Sequence, residues 1–226
     1  MRELAIGDIH GCIQSFETLL GIVNPRSDDT LVLLGDYMDR GPESYSVLEK
    51  VLELNSHCTL IPLTGNHEKL LLAARDSPEA WMEWQRKGGQ STLQSYDRRG
   101  FCGIDAFPAR HWDFLENETL DFWESEDCIF VHGTVDPEID LHQQPDFLLF
   151  WEAFANPTRH KSGKRLVCGH ASQKSGVPAI FDHGICIDTF AHGGGWLTCA
   201  DLTNGVIHQA NEKREKRSLS FGEAVG

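Results

Sequence analysis

Three short apolar runs, each broken at once by glycine followed by an acid or its amide, set the strongest limit on what this chain can fold into. Leu4-Ala5-Ile6 stops at Gly7-Asp8, Leu31-Val32-Leu33-Leu34 stops at Gly35-Asp36, and Leu60-Ile61-Pro62-Leu63 passes through Thr64 to Gly65-Asn66. Between the runs, Ser15-Phe16-Glu17-Thr18-Leu19-Leu20 and Tyr45-Ser46-Val47-Leu48-Glu49-Lys50-Val51-Leu52 carry apolar residues at helical spacing. Continuous apolar strands alternating with amphipathic helices make β-α-β units, so the class is α/β with parallel strands covered on both faces. Right-handed crossovers bring the three strand ends to one edge of the sheet, and residues distant in sequence become neighbours there.

Beyond the third run, residues 78–123 are rich in Trp, Gln and Arg, with Gly88-Gly89 and Gly100 as punctuation, and read as a helical excursion from the sheet. Strands resume at Cys128-Ile129-Phe130-Val131, Arg165-Leu166-Val167-Cys168, Ile185-Cys186-Ile187-Asp188, Trp196-Leu197-Thr198-Cys199 and Val206-Ile207-His208. The last of these follow one another too closely for intervening helices, which indicates an antiparallel section or a second sheet. A length of 226 residues suits one large core. The expected division is a single domain over 1–210 and a solvated tail over 211–226, where Lys213-Arg214-Glu215-Lys216-Arg217 is densely charged.

The formal net charge of −14 disfavours binding to nucleic acid or an anionic membrane by bulk attraction, since both need a surplus of Lys and Arg. If the chain handles a phosphate, local charge must do it. The N-terminus enters a strand without the features of a signal peptide, and no apolar run approaches the roughly 20 residues that cross a bilayer, so the expected compartment is the cytoplasm. Seven cysteines form an odd set with no C-x-x-C pair, and most lie inside apolar runs. They read as core residues rather than a disulfide framework or a zinc ribbon.

The residues that follow the strands share one chemical character: Asp8 and His10, Asp36 with Asp39 and Arg40, Asn66 and His67, His132, and His170. Carboxylates, an amide oxygen and imidazoles make a mixed oxygen and nitrogen donor set, which suits Mn, Fe or Zn better than Ca or Mg. It holds more ligands than one ion needs, and a pair of ions bridged by a shared carboxylate accounts for the surplus. Any one Gly-Asp after a strand is ordinarily a turn and helix cap, and any one Gly-His a satisfied histidine. Only the whole set, in this order on one sheet edge, points to a metal centre.

Gly7-Asp8-Ile9-His10-Gly11, Gly35-Asp36-Tyr37-Met38-Asp39-Arg40-Gly41-Pro42 and Gly65-Asn66-His67-Glu68 closely resemble the G-D-x-H-G, G-D-x-x-D-R-G and G-N-H-E signatures of the phosphoprotein phosphatase family. That family lies within the calcineurin-like metallophosphoesterase superfamily. Val131-His132-Gly133 and Cys168-Gly169-His170 look like its two later histidine motifs, and Ile187-Asp188-Thr189 is similar to a further family segment. The likeness extends over residues 7–202, and the length, with the 132–144 segment, is most like the bacterial branch.

This resemblance implies a calcineurin-like fold: a central β-sandwich of mixed sheets flanked by helices. It implies that Asp8 and His10 hold a first divalent ion, that Asp36 bridges, and that Asn66, His132 and His170 complete a second site, with Mn the best-suited metal. Phosphate hydrolysis would proceed by in-line attack of a hydroxide bridging the two ions, which lie about 4 Å apart in such centres. His67 would protonate the leaving oxygen, Asp39 would orient His67, and Arg40 would present its planar fork to phosphate oxygens, with Asn66 also near the substrate. Glu68 reads as structural, fixing the loop backbone.

Two other phosphate chemistries fail on the sequence. A cysteine phosphatase needs an arginine after five intervening residues beyond its His-Cys pair, and after His57-Cys58 that place is Thr64. A P-loop needs Gly-Lys-Ser/Thr after a strand, whereas Gly163-Lys164-Arg165 precedes one and lacks the hydroxyl.

The chain also departs from the family pattern. A second phosphate-binding arginine usually follows the Leu-Leu-Trp-like segment, but Leu148-Leu149-Phe150-Trp151 runs into Glu152-Ala153-Phe154, and the nearby Arg159 and Arg165 read as surface charges. Thr189-Phe190 and His170-Ala171 stand where Thr-Gly and His-Thr are commoner. The leading expectation is a monomeric serine/threonine protein phosphatase acting on phosphorylated protein or peptide, phosphotyrosine included. The alternative on the same motifs is a symmetrical dinucleoside polyphosphate hydrolase or a small-molecule phosphoesterase. A non-catalytic binding protein is disfavoured by the full ligand set.

Overall fold

The computed structural model describes residues 1–154 and 158–224. Strands β1 (Glu3–Ile6), β2 (Thr30–Leu33) and β3 (Thr59–Pro62) run parallel, linked by helices α1 (Ile13–Val23) and α2 (Ser44–Leu54), as the alternating pattern requires. Pro62 closes the edge strand, where its missing N–H is tolerated. Antiparallel strands β9 (Leu197–Asp201), β10 (Val206–Ala210) and β11 (Lys216–Ser220) extend this sheet from β1, giving the order β11-β10-β9-β1-β2-β3.

A second sheet has the order β4-β5-β6-β8-β7. Its inner strands β5 (Cys128–Val131), β6 (Arg165–Cys168) and β8 (Gly184–Cys186) are parallel, and β4 (Phe122–Glu124) and β7 (Ala179–Phe181) are antiparallel edges. The later strands therefore divide: three antiparallel ones join the first sheet, while the others build a mixed second sheet.

Side-chain alternation separates the layers. Ala5, Val32 and Leu34 from one sheet meet Phe130, Val167 and Ile185 from the other in a dry sandwich core. Leu4, Ile6, Leu31 and Leu33 point the opposite way, onto Phe16, Leu19, Val47, Leu48 and Val51 of α1 and α2. On the far face, Ile129, Val131 and Leu166 pack with Leu149 and Phe150 of α7 (Asp146–Phe150). The result is the β-sandwich of mixed sheets flanked by helices. No helix among the described residues is long and apolar enough to cross a membrane.

The 78–123 excursion folds as helices α4 (Pro78–Trp84), α5 (Gln90–Asp97) and α6 (Ala109–Asp113), with a kink between α4 and α5 at Gly88, φ 123°, and a single π-turn at Phe114–Glu118. α4 starts well: Ser77 Oγ accepts the Ala80 N–H at 3.1 Å and Pro78 occupies the first turn.

The expectation of a solvated tail from residue 211 is corrected over Lys216–Ser220, which pairs along β10 in full register before a last turn, α8 (Phe221–Ala224). The dense charge concealed a strand because its polar residues have specific partners. Arg217 lies 4.3 Å over the Trp196 ring, and its guanidinium donates to Gln209 Oε1 at 2.7 Å and to the Gly176 carbonyl at 2.8 Å. Arg217→Ala should lower unfolding stability by about 1–2 kcal/mol in urea titration, whereas a residue of a free tail would change it by less than about 0.5 kcal/mol.

Candidate metal centre

Parallel strands of both sheets end at the same rim. β1 leads into Asp8 and His10, β2 into Asp36, β3 into Asn66 and His67, β5 into His132 and β6 into His170. Short backbone bonds tie the emerging loops together: Leu34 N–H to the Ile6 carbonyl at 2.9 Å, Gly169 N–H to the His132 carbonyl at 3.0 Å, and His10 N–H to the Asp36 carbonyl at 2.8 Å. The turns are sharp enough that His10, Asp36, Asp39, Arg40 and His170 all adopt positive φ, between 46° and 69°. Left-handed backbone at non-glycine residues costs on the order of 1 kcal/mol each and persists only where surrounding contacts enforce it.

Glu68 enforces it at the centre. Its wholly buried carboxylate accepts the N–H groups of Asp36 at 2.7 Å, Tyr37 at 3.0 Å and Gly65 at 2.9 Å, joining the β2 and β3 loops. Burial, with the nearby Asp36 charge, pushes its pKa up to about 8, and these N–H donors work against that rise. The two glycines beside it are obligatory for space: a Cβ on Gly35 would lie 2.4 Å from the Gly65 nitrogen, and one on Gly65 2.2 Å from Asp36 Oδ1.

All nine candidate residues come together around Asp36, and their hydrogen bonds fix which atoms face inward. His10 Nδ1–H donates to the Met38 carbonyl at 2.8 Å, so its Nε2 lone pair faces Asp36 Oδ2 at 3.3 Å, with Asp8 Oδ2 4.0 Å away. His132 Nδ1–H donates to the Leu34 carbonyl at 2.8 Å, turning its Nε2 towards Asn66 Oδ1 at 2.9 Å and Asp36 Oδ1 at 3.5 Å. His170 uses the opposite nitrogen: Nε2–H donates to the Trp151 carbonyl at 3.1 Å, leaving Nδ1 facing Asn66 Oδ1 at 3.1 Å.

Lone pairs thus converge on either side of Asp36, and apart from the Arg40 guanidinium beside His10 Nε2 no donor lies among these atoms, an arrangement that repels unless a further cation joins them. Ring nitrogens held by carbonyls, with the other nitrogen free, are the usual outer support of metal-ligating histidines. This donor set fits two divalent ions, one among Asp8, His10 and Asp36, the other among Asp36, Asn66, His132 and His170.

Electrostatics agree with that fit. Burial, against the pull of Asp36, holds the His132 imidazolium down to about 4, and His10 is likewise well below the ordinary histidine value, a shift towards the neutral form that metal ligation requires. Burial would raise the Asp36 carboxyl, but the His132, His67 and His10 rings around it carry the net shift downward; of the three, His67 is the one whose own pKa is raised, and its backbone N–H bonds the carboxylate. Asp8 goes the other way: burial and the Asp188 and Asp36 carboxylates push it well above the carboxylate range, a group in need of positive charge.

His67 lies close enough to His10 and Asp36 for the three to group around an ion, but its own hydrogen bonds differ from theirs. Its Nδ1–H donates to Asp39 Oδ2 at 2.7 Å, and its Nε2 is buried without a hydrogen-bond partner. Burial pulls its pKa down, but Asp36 and Asp39 outweigh it and the net shift is upward. Arg40 is exposed at the mouth, its guanidinium Nη1 3.2 Å from His10 Nε2.

Three contributors, Trp84, Thr92 and His192, escaped the sequence reading, and a fourth, Asp188, stood there only inside the family-like segment Ile187-Asp188-Thr189. Trp84 Nε1 donates to Asp39 Oδ2 at 2.9 Å, and Thr92 Oγ1 to Asp39 Oδ1 at 2.6 Å, so the helical excursion clamps the partner of His67. Gly89 lies flat against the Trp84 ring, where a Cβ would come within 2.4 Å; Gly88-Gly89 next to a tryptophan was the available signal. Asp188 is buried near Asp8, accepting from Ser172 Oγ and Phe190 N–H, and His192 packs its ring edge-on to His10 at 4.7 Å. Arg159 and Arg165 do not reach the site: Arg159 donates to His183, and Arg165 begins β6, at the end away from His170.

A family model described as calcineurin-like phosphoesterase matches residues 1–199. The chain belongs to that family. A relative from Delftia acidovorans named as a symmetrical bis(5'-nucleosyl)-tetraphosphatase is 47% identical over 167 residues, covering 66% of this chain and 55% of the relative. Across the curated relatives it matches, the chain spans 26% to 55% of their length. Among solved structures, one described as a candidate diadenosine tetraphosphatase aligns over 97% of this chain and 93% of its own, with TM-score 0.65 and 19% identity. A cold-active protein-tyrosine phosphatase of a Shewanella species covers 97% and 80%, with TM-score 0.67 and 16% identity. At these identities the structures share the fold alone. The relative names a dinucleoside tetraphosphate where the motif resemblance had put a phosphoprotein first.

Replacing Glu68 by Gln presents an N–H₂ group to backbone donors, leaving at least one buried N–H unpaired. Glu68→Gln should destabilise the protein by about 2–4 kcal/mol in urea unfolding and lower bound Mn in metal analysis. Unchanged values for both would remove Glu68 from its central place.

Proposed function

We propose that the chain is a metal-dependent phosphoesterase whose substrate is a symmetrical dinucleoside polyphosphate, cut at its centre by water into two nucleoside diphosphates. The chemistry is carried by one observation: unprotonated ligand atoms converge on both sides of the Asp36 carboxylate. The substrate is carried by the name of the 47% identical relative, which puts the alternative of the sequence analysis ahead of the phosphoprotein reading.

When bound, the two ions would supply positive charge to the phosphoryl oxygens and a nucleophilic oxygen at neutral pH. The protein does the rest. Arg40, at the mouth, offers parallel N–H donors to two phosphoryl oxygens and sets the in-line orientation. His67, protonated and held through Nδ1 by Asp39, has Nε2–H free to give its proton to the departing oxygen. Asp39 is in turn fixed by Trp84 and Thr92, so the imidazole cannot rotate without breaking several buried bonds. Net charge of −14 elsewhere makes Arg40 the local attractor for a polyanion.

The need for a proton differs between substrates. A nucleoside diphosphate leaves as a weak base, whereas a serine alkoxide must be protonated as it leaves. His67→Asn should therefore lower turnover of a phosphoserine peptide by about 10²-fold or more, and that of diadenosine tetraphosphate by less, with bound metal unchanged. Loss of metal in this variant would move His67 into the ligand set.

The deciding assay compares an aryl phosphate, phosphoserine and phosphotyrosine peptides and diadenosine tetraphosphate, each with Mn and with a chelator. Metal-dependent turnover fastest on the dinucleotide, yielding only the diphosphate, is expected. Faster turnover of a peptide would restore the phosphoprotein reading, and no metal-stimulated turnover of any would end the phosphoesterase proposal.

A further inference from the structure

The segment that departs from the family pattern at Thr189-Phe190 is built around a histidine facing the metal centre. Phe190 is held in left-handed backbone at φ 65°, its N–H bonded to Asp188 Oδ1 at 2.9 Å. A tight turn over Ala191–Gly193 follows, closed by Gly195 N–H on the Phe190 carbonyl at 2.9 Å. The Phe190 ring folds back over this turn: a Cβ on Gly193 would lie 2.0 Å from it. Its face meets the His192 ring at 4.8 Å and 71°, pressing His192 against His10 at 4.7 Å and 83°.

His192 is half-buried, yet its Nδ1 is buried without a hydrogen-bond partner among the described residues. An unpartnered imidazole nitrogen wedged by two rings is an unstable arrangement unless a ligand completes it. His10 is the reference point for what that ligand is. Its ring is touched by His192, by His67 at 4.7 Å, and at Nε2 by Arg40. Three side chains that can donate N–H, Arg40, His67 and His192, therefore encircle the ligand that opens the first metal position. A phosphate held there has Arg40 as one donor and lacks the second arginine of the family pattern, for which Arg159 and Arg165 are misplaced.

We infer that His192 is a substrate-binding residue, supplying from its imidazole N–H the second hydrogen bond to the phosphoryl oxygens that an arginine provides elsewhere in the family. This rests on the phosphoesterase reading of the site. Phe190 is then a positioning residue, and the departure from Thr-Gly to Thr-Phe is linked to the missing arginine: the bulky ring holds the substitute donor in place.

The test uses two variants of the full chain loaded with Mn. His192→Phe keeps a ring against His10 and Phe190 but has no N–H, and His192→Gln restores a donor. Inorganic phosphate binding by calorimetry should weaken about tenfold in His192→Phe and recover at least in part in His192→Gln, with Mn content equal to wild type in both. KM for an aryl phosphate should rise in parallel, while kcat falls less. If wild type binds phosphate and turns over substrate but His192→Phe matches it in both, the inference falls and the phosphoesterase reading stands. Loss of Mn in His192→Phe overturns it too, making His192 a support of the ions. Absence of turnover by wild type ends the wider reading, while the phosphate titration still judges His192; a wild type that binds no phosphate ends both.

Discussion

The buried carboxylate of Glu68 is the interaction on which the rest of the site depends. A carboxyl group away from water is unfavourable unless hydrogen bonds take over its solvation, and here three backbone N–H groups from two loops do so. The bargain fixes more than Glu68. With its nitrogen tethered, Asp36 is held at φ 52°, its carboxylate lies between the His10 and His132 rings, and the His67 N–H reaches Asp36 Oδ1 at 3.0 Å. Both groups of proposed ligands and the proposed proton donor are thereby placed relative to one carboxylate, itself placed by another.

Outward from that point the geometry comes from the sandwich. Two sheets with parallel centres present their carboxyl ends to the same rim, so His132 and His170 of one sheet reach the ligands Asp8, Asp36 and Asn66 of the other. The helical excursion adds a third wall, and its contribution is restraint: Trp84 and Thr92 determine where Asp39 is, and hence where His67 can send a proton. Arg40 belongs to two of these parts, since its backbone N–H bonds to the Gly88 carbonyl of the excursion at 3.3 Å while its side chain reaches His10.

Much of this was legible in the sequence, for a physical reason. Each proposed metal ligand sits one to four residues beyond a strand, so strand, glycine and polar side chain form a local pattern, and parallel topology supplies their convergence. Glu68 was legible as a loop-fixing residue on the same grounds. Trp84, Thr92 and His192 were not, because their roles exist only once distant segments pack, and a tryptophan or threonine in a helix has many commoner uses. The strand at Lys216–Ser220 was hidden by its charge. Arg217 counts as solvated until Trp196, Gln209 and Gly176 are placed around it. Thr189-Phe190 was visible as a departure, though its direction, pressing a histidine onto a ligand, needed coordinates.

The charged strand β11 has one more consequence. As the outermost strand of the six-stranded sheet it carries a row of backbone groups with no neighbouring strand, the kind of border to which a foreign chain can add itself and start aggregation. Lys216 and Arg217 open that border with positive charge, and its far end is closed by Glu223, whose carboxylate takes the Ser220 N–H at 2.8 Å as the chain turns into α8. The composition that disguised the strand is what lets a sheet stop there: β11 finishes the fold and, by the same residues, repels a seventh strand.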